Sequence, residues 1–132
     1  MTMRTPAALV VDDDVAIRET LHQLLEDEGY HVMEAPDGVA ALDALRSTPY
    51  RMVVLLDLMM PQLDGYGVLL AVIDDAQLLS QHRYILMTAA ASALTGSLLQ
   101  LMRQIDVPAL IKPFSVERLL TVMAEAESQL VD

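Results

Sequence analysis

The apolar run over residues 52–56 constrains the fold more than any other part of the sequence, because it leads without interruption into Asp57. A continuous apolar run that is soon followed by a turn, here at residues 61–65, is typical of a strand buried on both faces of a parallel sheet. Asp57 would then stand at the carboxyl end of that strand, where α/β sheets form their ligand sites.

Apolar runs suited to strands alternate along the chain with segments whose apolar residues recur at helical spacing. Strands are predicted at residues 7–11, 30–35, 52–56, 84–87 and 109–111. Helices are predicted between Asp14 and Gly29, at residues 39–45, 66–73 and 91–105, and after Ser115. This alternation predicts an α/β protein whose parallel sheet is covered by helices on both faces.

Polar side chains follow four of the five predicted strands. Asp12 and Asp13 follow the first strand, Asp57 the third, Thr88 the fourth and Lys112 the fifth. A single Asp at a strand end more often caps the next loop. Alone, Thr88 would be an ordinary strand-end residue and Lys112 a solvated charge. Because parallel strands end at one edge of the sheet, we expect these residues to form one site.

Three neighbouring carboxylates repel one another and need a cation between them. Their oxygen ligands, in a chain without cysteine, favour a hard ion and most of all Mg²⁺. A hydroxyl and an ammonium beside the ion suit the oxygens of a phosphoryl group, and a central carboxylate can become an acyl phosphate. Lys112 is the only lysine of the sequence, which sets it apart from ordinary surface charge.

The charge and length of the chain narrow the classes of function. A formal net charge of −11 without a basic run argues against direct binding to nucleic acid. No window approaches the roughly 18 apolar residues of a membrane span, and no signal sequence is visible. We therefore expect a cytoplasmic protein with no membrane contact, and a single domain over residues 1–132.

The sequence resembles the receiver domains of bacterial two-component response regulators over essentially its whole length. Four fragments carry the likeness: LVVDDD at 9–14, LLDLMMPQLDG at 55–65, MTA at 87–89 and KPF at 112–114. The resemblance implies a flavodoxin-like (βα)5 three-layer sandwich with strand order 2-1-3-4-5. It also implies a phosphorylation-activated switch, served by a histidine kinase or phosphotransfer protein, and not an enzyme that turns over a metabolite.

The resemblance assigns roles to the residues of the phosphoryl site. Asp57 matches the phosphoacceptor, and Thr88 and Lys112 match the hydroxyl and the ammonium that contact the acyl phosphate. The backbone N–H of Ala89 would donate a further hydrogen bond. In many members of the family the bond that corresponds to Lys112–Pro113 is cis.

The metal site is assigned by the same likeness. Asp12, Asp13 and Asp57 match the acidic residues that hold Mg²⁺, and the backbone carbonyl of Met59 would complete its shell. Met59 and Ala90 occupy the two positions that commonly tune loss of the phosphoryl group. Neither side chain can orient a water by hydrogen bonding, so we expect a slowly hydrolysed acyl phosphate.

Two further departures from the family pattern concern how the domain would pass a signal to a partner. Ala109 stands where receivers commonly have a Tyr or Phe that rotates on phosphorylation, so switching is expected to pass through the loop after Thr88 instead. The predicted helix at 91–105 has apolar residues on more than one side. We expect its face, with the last strand and last helix, to bind a second copy or a downstream protein, unless a shifted register buries more of the helix.

Two functions of other classes remain open at this point. A Mg²⁺-dependent phosphohydrolase working through an aspartyl phosphate usually has a second acid two residues after the nucleophile, where this chain has Met59. A flavodoxin-like nucleotide or flavin binder would need a glycine-rich loop after its first strand, and this chain has acids there.

Some polar residues are expected to have only structural roles. Asp14 is predicted to cap the first helix. His22, His31 and His82 follow no partner pattern and are expected at the surface or at an edge.

Overall fold

The computed structural model describes residues 5–130, which form a five-stranded, all-parallel sheet of order 2-1-3-4-5. The strands are β1 (Ala7–Val11), β2 (His31–Ala35), β3 (Met52–Asp57), β4 (Arg83–Thr88) and β5 (Ala109–Ile111). The helices are α1 (Val15–Asp27), α2 (Gly38–Ser47), α3 (Gly65–Ile73), α4 (Ala76–Gln81), α5 (Gly96–Gln104) and α6 (Val116–Ser128), with a 3-10 turn at Ala91–Ala93. The predicted fold class and strand order are confirmed.

Two hydrophobic cores lie on opposite faces of the sheet. One contains Leu9 and Leu56 and packs against α2, α3, α4 and α5. The other contains Val10 and Leu55 and packs against α1 and α6. Because successive side chains of a strand point to opposite faces, a sheet covered on both sides needs apolar residues at every position. This explains the unbroken apolar run of β3, all of which is buried.

Side-chain caps determine where several helices begin. The side chain of Asp14 accepts a hydrogen bond from the backbone N–H of Ile17, which confirms its predicted role at the start of α1. Asp37, Asp64 and Ser115 act in the same way for α2, α3 and α6. The caps of α1 and α2 lie within three residues of the ends of β1 and β2, so the loops between these elements are short.

The prediction of one helix over residues 91–105 was wrong in its first turn. A 3-10 turn covers Ala91–Ala93, and α5 begins only at Gly96, whose φ of 58° lies in the left-handed region. The helix buries Leu98, Leu101 and Met102. Leu94, Leu99 and Ile105, the other apolar residues predicted for this helix, are only partly buried.

The helix α4 was not predicted. The carboxylate of Asp75 accepts hydrogen bonds from the backbone N–H groups of Gln77 and Leu78, and this cap starts a short helix directly after α3. Leu78 is buried in the core on that face. Within residues 5–130, no helix is both long and apolar enough to cross a membrane.

The expectation of a surface or edge position was wrong for one of the three histidines. His82 is fully buried, and its Nδ1 accepts the backbone N–H of Met52 at 3.1 Å. The ring of His22 has partners, because its two nitrogens contact the carboxylates of Glu34 and Glu26. His31 is exposed, as expected.

Candidate functional site

Three carboxylates meet at the carboxyl edge of the sheet. One ligand oxygen each from Asp12, Asp13 and Asp57 can be chosen so that all lie within 4.8 Å of one another. The register of β1 and β3 pairs Val11 with Leu56, so the residues that follow them come side by side. Asp12 and Asp57 are buried, whereas Asp13 is exposed. The predicted convergence of these carboxylates is therefore present.

The Lys112 ammonium crosses from β5 to the acidic group. Its Nζ donates a hydrogen bond to Asp12 Oδ2 at 2.9 Å and lies 3.6 Å from Asp57 Oδ1. The backbone N–H of Lys112 donates to the carbonyl of Thr88, which fixes the base of the side chain beside β4. The Lys112–Pro113 peptide bond is cis, as the family resemblance implies. The long flexible stem of lysine lets one charge reach both buried carboxylates.

The Thr88 hydroxyl is buried at the end of β4 and is engaged by its own loop. It accepts the backbone N–H of Ala90 at 3.0 Å and lies 3.5 Å from the carbonyl of the same residue. The register of β3 and β4 pairs Asp57 with Met87, so Thr88 is one residue beyond the level of Asp57. Rotation of the Thr88 side chain away from its loop would break its hydrogen bond with the Ala90 N–H.

The electrostatics of the site are dominated by buried negative charge. Burial, and after it the charge of Asp12, raises the pKa of Asp57 to about 6, although Lys112 and the backbone N–H of Met59 act against the shift. The charge of Asp13 makes a smaller contribution in the same direction as Asp12. One ammonium thus fails to neutralise the carboxylates, and the site as a whole attracts a cation.

The donor set fits a magnesium ion. All three converging side chains supply carboxylate oxygens, the ligand type that Mg²⁺ prefers, and their oxygens are close enough to share one ion. The excess negative charge would be relieved by a divalent cation. The side chain of Met59 is 64% exposed beside the site, and the part of its backbone carbonyl in metal binding stays a prediction.

Gly65 is a site-forming residue whose sequence signal indicated only a turn. A Cβ at this position would lie 2.7 Å from the Asp57 carbonyl oxygen, so any side chain would displace the backbone of Asp57. Its N–H donates to the carbonyl of Leu58. Glycine is required here by close approach, since the backbone torsion of Gly65 is not in the left-handed region.

Arg18 is a second residue at the site that sequence reasoning missed. Its Nη1 donates to the backbone carbonyl of Asp12 at 2.8 Å, and its Nε donates to Glu34 at 2.8 Å. An arginine in the first turns of an exposed helix gives no sequence signal of such contacts. They arise from the packing of α1 against the end of β1 and against β2.

Solved structures with the same fold cover nearly the whole chain. The CheY-like response regulator receiver domain protein from Methanospirillum hungatei JF-1 is 28% identical, with a TM-score of 0.82 and coverage of 95% of this chain and 96% of that chain. Chemotaxis response regulator CheY4 of Vibrio cholerae is 27% identical, with a TM-score of 0.79 and coverage of 93% and 99%. TrrA from Thermotoga maritima, in complex with Mg²⁺-BeF, is 29% identical, with a TM-score of 0.77 and coverage of 92% and 98%.

Curated relatives match a shorter segment at higher identity. Response regulator MprA of Mycobacterium sp. (strain KMS) is 53% identical over 60 residues, which are 46% of this chain and 26% of that protein. The probable transcriptional regulator ycf27 of Porphyridium aerugineum is 47% identical over 66 residues, which are 50% and 27% of the two chains. The aligned segment thus makes up about a quarter of each relative's length.

The family model of the response regulator receiver domain matches residues 8–124. That range runs from β1 into α6 and contains every residue of the acidic site described above. The match agrees with the strand order and with the CheY-like neighbours. The chain belongs to the response regulator receiver domain family.

Proposed function

We propose that this receiver domain is a phosphorylation-controlled switch that accepts a phosphoryl group on Asp57 with Mg²⁺ bound. The donor is a histidine kinase or a phosphotransfer protein. The observation that carries the proposal is the convergence of Asp12, Asp13 and Asp57 beside the ammonium of Lys112. The neighbouring structure of TrrA, which contains Mg²⁺-BeF, supports it.

Asp57 is suited to be the nucleophile. Its carboxyl has a pKa of about 6, so most molecules carry the ionised, attacking form at neutral pH. An Asp57 oxygen forms a bond to phosphorus while the phosphorus–nitrogen bond of the donor phosphohistidine breaks. The imidazole nitrogen keeps the bonding electron pair and takes a proton.

The neighbouring residues bind the charge that arrives with the phosphoryl group. Lys112 is 3.6 Å from the acceptor carboxylate and can pair with a phosphoryl oxygen by a small movement. The Thr88 hydroxyl leaves Ala90 and donates to another oxygen, and the N–H of Ala89 donates to a third. Asp12, Asp13, Asp57 and the Met59 carbonyl would hold Mg²⁺, which would supply positive charge to offset that of the transferred group.

The output surface is proposed to be the α5–β5–α6 face. A cavity of about 340 Å³ lies on this face and includes Leu94, Leu99 and Ala109 in its lining. Ile111 and Val116 nearby are 41% and 48% exposed. A second copy of the chain or a downstream protein would cover these apolar groups. The strongly negative charge of the chain makes a protein a better partner than nucleic acid.

The proposal includes a cytoplasmic location, which agrees with the absence of cysteine.

A phosphohydrolase is the competing function, but Met59 cannot donate a proton to a leaving group from the position where such enzymes have an acid. Phosphoryl transfer without turnover on a metabolite is therefore the better-supported reading of the site.

The test is intact mass spectrometry after incubation with Mg²⁺ and acetyl phosphate. We expect one phosphoryl adduct in the wild type, and none in Asp57→Asn or after chelation of the metal. Asp13→Asn is a matched control that removes one metal ligand but keeps the acceptor, and it should reduce the rate of labelling. Steady consumption of acetyl phosphate without an adduct would favour the phosphohydrolase instead.

A further inference from the structure

We propose that Arg18 is a positioning residue for Mg²⁺ binding, because it holds the peptide unit that joins the two acidic ligands Asp12 and Asp13. This inference rests on the proposed function, since it assumes that the acidic site binds Mg²⁺. Arg18 does not touch the ion or the phosphoryl group in this proposal. It acts through the backbone of the residues that do.

The contact is between Arg18 Nη1 and the carbonyl oxygen of Asp12, at 2.8 Å. That carbonyl belongs to the peptide unit between Asp12 and Asp13, and peptide units are planar. A hydrogen bond that fixes the carbonyl therefore also fixes the N–H side of the plane and the direction in which Asp13 leaves it. One side chain thus sets the relative orientation of two metal ligands.

The other polar atoms of Asp12 are also held. Its N–H donates to the carbonyl of Ala35, its Oδ1 accepts the N–H of Asp14, and its Oδ2 accepts Lys112 Nζ. Asp12 is only 1% exposed, so its polar atoms depend on partners within the protein. Removal of Arg18 takes away the side-chain donor that orients the carbonyl of the residue where the other contacts meet.

Arg18 is itself held by charged neighbours. Its Nε donates to Glu34 Oε1 at 2.8 Å, and the other oxygen of Glu34 contacts the ring of His22. The side chain of Arg18 is 15% exposed and that of Glu34 is 30% exposed. A planar guanidinium that donates in two directions keeps a fixed orientation better than a single ammonium would.

Loss of the charge of Arg18 and loss of its positioning role would change the affinity for Mg²⁺ in opposite directions. Arg18 carries a positive charge close to a cation site, so loss of the charge alone would tighten Mg²⁺ binding. Loss of positioning would weaken it, as changes in residues that orient metal ligands commonly do, by about 10- to 100-fold. The sign of the change in affinity therefore separates the two effects.

The experiment is a titration of the full chain with Mg²⁺. Calorimetry and backbone amide NMR each measure the affinity. We expect Arg18→Gln to bind Mg²⁺ about tenfold more weakly than the wild type, at the lower end of such effects. Arg103→Gln is the matched control: it removes the same charge from an exposed site on α5 and should leave the affinity unchanged. Arg18→Lys, which keeps the charge but loses the planar donor that reaches both the Asp12 carbonyl and Glu34, should weaken binding by a smaller factor.

Unchanged or tighter Mg²⁺ binding in Arg18→Gln would overturn the inference. A thermal melt of each variant in EDTA shows whether it is folded, and a role in stability alone would lower the melting temperature without changing the affinity. If Arg18→Gln does not fold, Arg18→Lys decides the question, because it keeps the positive charge: weaker binding would support the positioning role, and unchanged binding would overturn it. Failure of the wild type to bind Mg²⁺ would refute the proposed function rather than the role of Arg18 alone.

Discussion

Lys112 is paired with Asp12 more closely than with Asp57, at 2.9 Å from the one carboxylate and 3.6 Å from the other. Asp57, the proposed phosphoacceptor, is therefore only partly neutralised, and burial and the charge of Asp12 raise its pKa to about 6. The Lys112 ammonium thus lies beside Asp57 while its hydrogen bond goes to Asp12. A phosphoryl group on Asp57 would compete with Asp12 for the same charge.

Replacing Lys112 with Met should destabilise the protein when no metal is present. The buried carboxylates then lose their cation, and we expect the free energy of unfolding in EDTA to fall by about 1–3 kcal/mol, less than the 3–5 kcal/mol typical of a fully buried pair. Saturating Mg²⁺ should stabilise the variant more than the wild type, because in the variant the ion does not compete with an ammonium for the carboxylates. Urea unfolding with and without Mg²⁺ measures both effects. Equal stability of the two proteins in EDTA would contradict the prediction.

The buried ring of His82 should make the protein less stable as the pH falls from 6.5 towards 4. Burial lowers the pKa of His82 to about 4, so the unfolded chain takes up a proton in this range while the folded protein keeps the ring neutral. At about 1.4 kcal/mol per pKa unit, we expect a loss of about 2–3 kcal/mol. His82→Asn can still accept the N–H of Met52 but cannot titrate, so its stability should change less with pH.

Asp57 titrates in the same range with the opposite sign. Its pKa is raised in the folded protein, so protonation below pH 6 favours the folded state and offsets part of the loss at His82. The effect of His82→Asn should therefore be measured in proteins that also carry Asp57→Asn, by comparing the single variant Asp57→Asn with the double variant. Parallel stability curves for the two proteins between pH 6.5 and 4 would show that His82 does not carry the effect.

The meeting of Asp12, Asp57 and Lys112 was predictable because it depends on topology. Residues that end parallel strands must share one edge of the sheet, whatever the details of packing. The alternation of apolar runs with helical patterns gave that topology, and the family likeness added the strand order. Positions that depend on strand order and register could therefore be assigned before any contact was known.

Contacts that depend on how elements pack were not predictable. The burial of His82 follows from its contact with the start of β3, 30 residues earlier, and nothing local in the sequence indicates it. The contacts of Arg18 depend on how α1 lies against β2. The break before α5 depends on the backbone of Gly96, whose neighbours have an apolar pattern that continues across it.

The acyl phosphate on Asp57 should be long-lived, as expected from the side chains at Met59 and Ala90. Both residues are exposed beside the acceptor, and neither can hold an attacking water. Met59→Asn supplies a hydrogen-bonding group and should speed loss of the phosphoryl group by about tenfold or more, below the 100-fold or larger factors of dedicated general bases. Met59→Leu is the control and should leave the rate unchanged. Decay of the wild-type adduct within seconds, measured by intact mass after removal of the donor, would refute the expectation.

Filling the cavity beside Ala109 should change stability more than signalling. Phosphorylation is proposed to draw the Thr88 hydroxyl away from Ala90, so the signal leaves through the loop after β4 and not through a rotating ring at position 109. Ala109→Tyr places an aromatic ring against Leu94, Leu99 and neighbouring apolar groups, and we expect about 0.5–2 kcal/mol of added stability, as for other cavity-filling changes. The amide NMR shifts between the free and phosphorylated forms should keep their pattern from Thr88 into α5. Ala109→Leu separates the effect of added volume from that of a ring, and a strongly altered shift pattern in Ala109→Tyr alone would mean that an aromatic side chain takes over the switch.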